Sequence, residues 1–442
     1  MQPPLGWIGI VRLGLVQTAL GAIVVLTTSA INRVMVVELA LPALIPGLLV
    51  ALHHGVQMLR PRWGYGSDVG GRLTPWIIGG MAILGAGGIG AAVSVSWMAA
   101  HFAAGIALAI VSFVLVGIGT GAAGTCLLVL LAKRVTSERR PAAATVVWLM
   151  MIAGFAITSG TVGHLLDPFS PARLVNVTAA VAALAVLVTI ASVWGIEGNE
   201  MRPATSPATA GTKPPFAKAV AEVWAEPDAR RLTIFVFLSM LAYFSEELVL
   251  DPFSGLVFGF TPGQSTKLSS TLHSGVFAGM VALAIAGSSV TARRFISLQT
   301  FMRGGCLASS AAFAALIGCA LIGPPMPLKP VVFMLGVANG LFSIAAIAWM
   351  MTLAGRGREN SEGVRMGIWG AAQGIAAGLG GVAGAGASDL ARALLASPGA
   401  AYAVVFALQA ALFLVAASLA PRQTTLAEPE NTPRQPNLVA AE

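Results

Sequence analysis

The sequence predicts an all-α, polytopic membrane protein: twelve transmembrane helices arranged as two halves of six. Three observations carry this reading. Of 442 residues, 56% are hydrophobic and 10% are charged, against about 25% charged in soluble domains. The deficit is uneven. Apolar residues gather into runs of about twenty, the length a helix needs to cross a bilayer core, with short polar stretches between them. The longest polar segment, residues 196–231, stands at the middle of the chain.

Taken in order, the apolar runs of the first half cover 7–31, 42–59, 76–97, 104–131, 142–165 and 174–195. Those of the second half cover 232–256, 268–289, 298–322, 329–354, 364–386 and 399–420. The expected organisation is a first bundle over 1–196, a linker over 197–231, a second bundle over 232–421 and a disordered tail over 422–442. The linker is rich in Pro, Thr and charge, and Phe216 to Trp224 has the pattern of a short helix lying on the membrane surface. The N-terminus lacks a basic start and its apolar run is too long for a signal peptide, so it reads as the first span.

A net charge of +8 raises the question of nucleic acid, but the distribution argues against that partner. Lys and Arg sit in short clusters between apolar runs, as in proteins whose basic loops stay in the cytoplasm. One set of loops holds Arg60, Arg62, Arg72, Lys133, Arg134, Arg139, Arg140, the linker, Arg293, Arg294, Arg356 and Arg358. The alternate set holds Arg33, Arg173, Lys267, Lys329 and Arg392. With an even number of spans, both termini are expected in the cytoplasm. Cys126, Cys306 and Cys319 all fall in apolar runs without ligand spacing, which reads as small buried residues and not as a disulfide framework or zinc site.

Glycine is patterned. Gly370, Gly374 and Gly378 share one helix face, and Gly117/Gly121 and Gly336/Gly340 repeat the spacing. Such faces let helices approach closely, by packing within the bundle or at a dimer interface. Gly85, Gly87, Gly88 and Gly90 match G-x-G-x-x-G formally, but they lie mid-span without a preceding strand, so they read as packing glycines and not as a dinucleotide site. There is no G-x-x-x-x-G-K-[ST] motif, which removes the usual ATP-driven pump.

The loop after the second run is the most specific local signal. Gly64, Asp68, Gly71 and Arg72 match the G-x-x-x-D-x-x-G-R core that major facilitator transporters carry there, with Val69 where a basic residue is common. Glycines permit a tight turn, and Asp68 can meet a helix N-terminus and a basic partner. The matching loop of the second half, from Gly287 to Arg294, keeps the glycine and the basic pair but has no acid. The chain thus resembles the major facilitator fold, a six-plus-six pseudo-repeat.

A narrower resemblance rests on Asn32–Glu38, Arg60–Asp68, Arg72–Gly79 and Asp251–Gly259 followed by Thr266-Lys-Leu-Ser. These stretches resemble the PucC/LhaA family of purple phototrophic bacteria. The segment from Asp251 to Met280 is most similar to the branch found in bacteriochlorophyll biosynthesis clusters. The resemblance spans nearly the whole chain. It implies binding or delivery of bacteriochlorophyll, assembly of light-harvesting complexes, and residence in the bacterial inner, intracytoplasmic membrane. Bacteriochlorophyll synthase and light-harvesting polypeptides are the implied partners.

Pigment chemistry asks for a neutral imidazole as axial ligand to magnesium, in an apolar setting. His53 and His54 lie about 9–10 Å before the basic boundary at Arg60, pointing roughly 100° apart around the helix. His273 sits in the eighth run, the counterpart of the second. Each is a candidate ligand, or else a buried histidine hydrogen-bonded within the bundle; His101 and His164 are weaker. Ionisable residues inside spans are functional candidates by default: Glu246, Glu247 and Asp251 in the seventh, with Arg12 and Arg303 readable as cations snorkelling to the surface. Glu38 with Pro42 at the end of the first run echoes Asp251-Pro252 at the end of the seventh, as a two-half repeat would give.

The preferred reading is a non-enzymatic protein that binds bacteriochlorophyll or a late precursor and passes it to a synthase or to antenna polypeptides. Two others compete: a proton-coupled transporter of a small hydrophobic solute using the three acids, and a pigment-free structural partner of the synthase. Asp68, Asp167, Asp228, Asp251 and Asp389 are isolated from one another, so no aspartate-rich diphosphate motif makes the chain itself a prenyl-transferring enzyme.

Overall fold

The computed structural model describes residues 4–59, 72–197, 224–288, 297–354 and 362–420. Each of the twelve apolar runs forms a helix: α1 (Trp7–Glu38), α2 (Leu44–Gln57), α3 (Thr74–Met98), α4 (Phe102–Arg134), α5 (Arg140–Leu165) and α6 (Pro171–Val193) in the first half. The second half holds α7 (Pro227–Phe258), α8 (Pro262–Ser288), α9 (Leu298–Ile322), α10 (Leu328–Ala354), α11 (Glu362–Leu394) and α12 (Pro398–Leu419). Among the described residues ten helices are long and apolar enough to cross a membrane, and there is no strand. The chain is a multi-pass membrane protein with a major-facilitator-type fold. The end of the bundle where α1 begins is called proximal below, and the end where α1 meets α2 distal. Gly64, Asp68, Gly71, the basic residues Arg60, Arg62, Arg293, Arg294, Arg356 and Arg358, residues 198–223 of the expected linker and the whole of the expected tail lie outside the described residues.

Helix ends differ from the sequence expectation in one consistent way. The five basic residues expected in distal loops, Arg33, Arg173, Lys267, Lys329 and Arg392, all lie within helices. A charge inside a helix resembles a loop in sequence, yet three of these five meet an acid: Arg33 pairs with Glu38, Lys267 with Asp167 at 3.9 Å and Arg392 with Asp389 at 3.9 Å. The expected end of the seventh span at Asp251-Pro252 is also corrected, because α7 continues to Phe258 with Pro252 in its interior.

Each half encloses its own core. Ile10, Leu13, Met81, Leu84, Val116 and Leu127 are buried together in the first, and Phe235, Phe253, Phe313, Phe342, Phe406 and Phe413 in the second. A third cluster joins them distally, where Leu26, Ile31, Met35 and Leu49 bury Leu248 of α7. The outer faces are apolar, as lipid contact requires, with Ile157, Leu184, Leu187 and Leu321 exposed. Trp7, Trp76, Trp97 and Trp194 are exposed near helix ends, where amphipathic rings sit at the headgroup level.

The glycine runs divide in two. Gly336 and Gly340 of α10 lie against the backbone carbonyls of Leu272 and Val276 in α8, closer than any side chain allows. Gly117 meets His53 and Val56 of α2, and Gly87 and Gly88 meet Val116 and Ile23. These are packing contacts. The face of Gly370, Gly374 and Gly378 is different: a Cβ at Gly370 or Gly374 would meet nothing within 4 Å, and one at Gly378 would meet only α2, the Cβ of His54 at 3.8 Å and the Ala51 carbonyl at 3.9 Å.

Candidate functional site

The distal part of α1 winds through two wide, π-helical turns, Thr27–Ile31 and Val34–Glu38. Such turns are rare and recur at functional sites. Here they carry a polar face buried against the second half. Ser29 Oγ donates to Ser269 Oγ of α8 (3.1 Å), and Asn32 Nδ2 donates to the Leu248 carbonyl of α7 (3.0 Å). Arg33 is buried, and its guanidinium donates to the Phe260 carbonyl (2.5 Å), to Ser265 Oγ (3.4 Å) and to Glu38.

The Leu248 carbonyl has a specific reason to need Asn32. In a helix it would accept from the amide four residues on, but that residue is Pro252, which has no N–H. The orphaned acceptor takes its hydrogen bond from the other half of the molecule instead. Sequence reading placed Arg33 in a loop and gave Asn32 no role. The available signal was two adjacent polar residues, Asn32 and Arg33, set between apolar stretches.

The three α7 acids do not share one site. Glu246 turns into the second half, where Oε2 accepts from Asn339 Nδ2 (2.9 Å), whose Oδ1 accepts from Ser309 Oγ (2.8 Å). Glu247 lies beside Thr28 of α1. Asp251 is fully buried, and both its oxygens lie 2.8 Å from Ser269 Oγ. Asp251 thus faces α8 and the α1 polar face, one step from Arg33.

The histidines occupy the two seams between the halves. His273 of α8 is buried; its Nδ1 donates to the Ser269 carbonyl (2.8 Å), and Phe155 of α5 packs edge-on at 5.0 Å. That bond fixes the tautomer and leaves the lone pair on Nε2, the arrangement metal-binding imidazoles use. On the other seam His53 is 1% exposed, with Nε2 2.6 Å from Gln57 Nε2. His54 is half-buried. Although the two side chains leave the helix in different directions, their rings stack at 4.3 Å. His54 also meets Phe244 of α7 edge-on at 5.8 Å and stands beside Gly378, where the open glycine face of α11 ends.

Other polar groups anchor helix termini. Glu197 accepts from the amides of Leu73 and Thr74 (2.8 Å for Thr74), capping α3 beside exposed Arg72; sequence reading offered only Asp68 for such a role. Arg12 donates to the Ala191 and Trp194 carbonyls at 3.3 and 2.5 Å, closing the end of α6. Asp389 accepts from the amides of Ala43 and Leu44 at 2.9 and 2.8 Å, capping α2 from the other half. Asp167 accepts from Thr261 Oγ1 (2.8 Å) across the distal seam.

Comparisons with known proteins agree with one another. A family model described as PUCC protein matches residues 30–425. The bacteriochlorophyll synthase 44.5 kDa chain of Rhodobacter capsulatus is 50% identical over 438 residues, covering 99% of this chain and 100% of that one. Protein PucC of Rhodobacter capsulatus is 29% identical, covering 93% and 91%. Among solved structures, a peptide transporter POT in complex with sulfate superposes with TM-score 0.69 at 13% identity, covering 94% of this chain and 95% of that one. A bacterial homologue of the human drug peptide transporters PepT1 and PepT2 gives 0.67 at 13%, covering 93% and 97%. The structural likenesses establish the fold.

Proposed function

Because the chain belongs to the PUCC protein family, we propose that it binds bacteriochlorophyll, or a late precursor, inside the membrane. It hands the pigment on for synthesis or for light-harvesting assembly without catalysing a reaction itself. The name of the 50%-identical relative supports the pigment class. The geometric observation that carries the reading is the unfilled glycine face of α11 ending at His54.

A bacteriochlorin ring is flat and carries a magnesium with an open axial position. It needs an imidazole on one side and a surface without side chains to lie against. Gly370, Gly374 and Gly378 recur every four residues and so share one face. His54, half-buried at the end of that face, is the preferred ligand. His53 is deeper, at 1% exposed, which leaves a macrocycle less room. His273 has the right tautomer, but it is 3% exposed between α5 and α8, and a macrocycle reaches it only if those helices part. Glu246, Glu247 and Asp251 face three different partners, which gives less support to a proton-coupled transporter built on them as one site. The proximal end, with Arg72, Lys133, Arg134, Arg139 and Arg140, faces the cytoplasm of an inner-membrane protein in this reading. Bacteriochlorophyll synthase and antenna polypeptides are the proposed recipients.

Colour tests this. Protein purified in detergent from a phototrophic host carries near-infrared absorbance, and His54→Leu removes most of it while His53→Leu keeps most. Gly374→Leu fills the open face and removes pigment at unchanged protein yield, since no neighbour stands in the way of its Cβ. Full pigment in both His54→Leu and Gly374→Leu would sink ligation on this face. Colourless wild-type protein would overturn pigment binding and leave the transporter and the pigment-free partner as the surviving readings.

A further inference from the structure

Among the described residues, hydrogen bonds between the halves gather at one end of the molecule. Asn32 to Leu248, Arg33 to Phe260 and Ser265, and Ser29 to Ser269 join α1 to α7 and α8. Asp389 holds the start of α2, Thr261 and Lys267 hold Asp167, and Ser270 Oγ donates to the Ala156 carbonyl at 2.7 Å. Every one of these lies in the distal half. Ser270, eight residues into α8, is about 12 Å from its distal end. Backbones close the same seam, for Gly163 and Gly263 approach too closely for either to carry a side chain.

Opening this end would strand several groups together. Leu248 has no helical donor to return to because of Pro252, and Arg33 is a buried charge whose hydrogen bonds to Phe260 and Ser265 cross the seam. Losing partners from buried charges is far costlier than losing surface contacts. The open glycine face is placed otherwise. Gly370 and Gly374 lie on the proximal side of Gly378 and His54, and Met58 and Leu59 are exposed at the proximal end of α2.

We propose that the distal end stays sealed throughout the working cycle, so that the pigment enters and leaves by way of the α2–α11 face on the proximal side. It is thus carried within the membrane and not across it. This rests on the pigment-binding reading and adds a route to it: the protein keeps a transporter's architecture but works as a carrier with one entrance.

The seam can be locked covalently. A Cβ at Gly160 of α5 would lie 3.6 Å from that of Ser270, within the span of a disulfide. Gly160→Cys with Ser270→Cys, in a chain whose three native cysteines are replaced, is expressed in a phototrophic host lacking its own copy. Disulfide formation is read by electrophoretic mobility. The sealed end predicts antenna absorbance equal to that of the two single-cysteine controls; loss confined to the cross-linked protein overturns it. Spin labels at Ala172→Cys and Lys329→Cys, exposed on the distal ends of the two halves, give a second measure. One distance, unchanged by added bacteriochlorophyll a, is expected, and a second, longer distance overturns the sealed end. If wild-type protein binds no pigment, the binding reading fails by itself, and the label distances in the protein alone still decide whether this end opens.

Discussion

Asn32 and Pro252 form a pair that can be separated experimentally. Interhelical hydrogen bonds in membrane proteins average about 0.6 kcal/mol because the separated helices find other partners. The Leu248 carbonyl is denied its own helical donor, so Asn32→Ala should cost more, about 1–3 kcal/mol, the penalty of a buried unsatisfied acceptor. Pro252→Ala returns an amide to that carbonyl. In the Pro252→Ala background Asn32→Ala should therefore cost much less, and a double-mutant cycle on the melting of detergent-solubilised protein reads the coupling. Additive costs would show that Asn32 does not serve the orphaned acceptor. Arg33 and Asn32 were partly legible: polar residues between apolar runs announce a buried function, but nothing in sequence says that the helix continues past them. The histidines were legible as candidates. The distinction among them was not, because it depends on Gln57, Phe155 and Gly378 arriving from elsewhere on their own or other helices.

At the scale of helices, hydropathy located all twelve, and the differences arise at ends where a basic residue is paired inside a helix. The glycine faces, alike in spacing, have two kinds of surroundings. On α8 and α10, Gly275, Gly279, Gly336 and Gly340 bring backbones into contact, and a Cβ at any of them would strike a carbonyl of the facing helix. Gly340→Ala must push these helices apart and should lower the melting temperature and the yield of folded protein. Gly370→Ala meets nothing within 4 Å and removes the helix-interior penalty of glycine, so it should be neutral or stabilising by about 1 kcal/mol. Thermal unfolding of the two variants in the same detergent checks this, and equal destabilisation would mean that α11 is covered where it stands open here. Spacing alone could not separate these cases, since both runs place glycine every fourth residue and only the partner helix differs.

For the whole molecule, the two ends differ in how many basic residues they carry, while basic side chains are paired at both: proximally Arg365 meets Glu226 at 2.6 Å and Arg134 donates to the Ile196 carbonyl. Distally, Arg33, Lys267 and Arg392 meet Glu38, Asp167 and Asp389, and the Arg173 guanidinium donates to the Pro168 carbonyl at 2.7 Å. Proximally, Arg72 is exposed, and Lys133, Arg134, Arg139 and Arg140 cluster where α4 turns into α5. Orientation in a membrane follows the count of Lys and Arg in short loops and near span ends, with acids contributing little. The proximal end carries more once Arg60, Arg62, Arg293, Arg294, Arg356, Arg358 and the central linker are counted with it. Reporter fusions after Arg140 and within residues 200–228 should therefore read as cytoplasmic, and a fusion near Lys329 as periplasmic. A periplasmic linker would invert the molecule, placing the sealed end and its polar seam in the cytoplasm and the glycine face of α11 toward the outside. Pigment would then be presented on the periplasmic side, the side of the linker, so this measurement precedes any search for the protein that receives it.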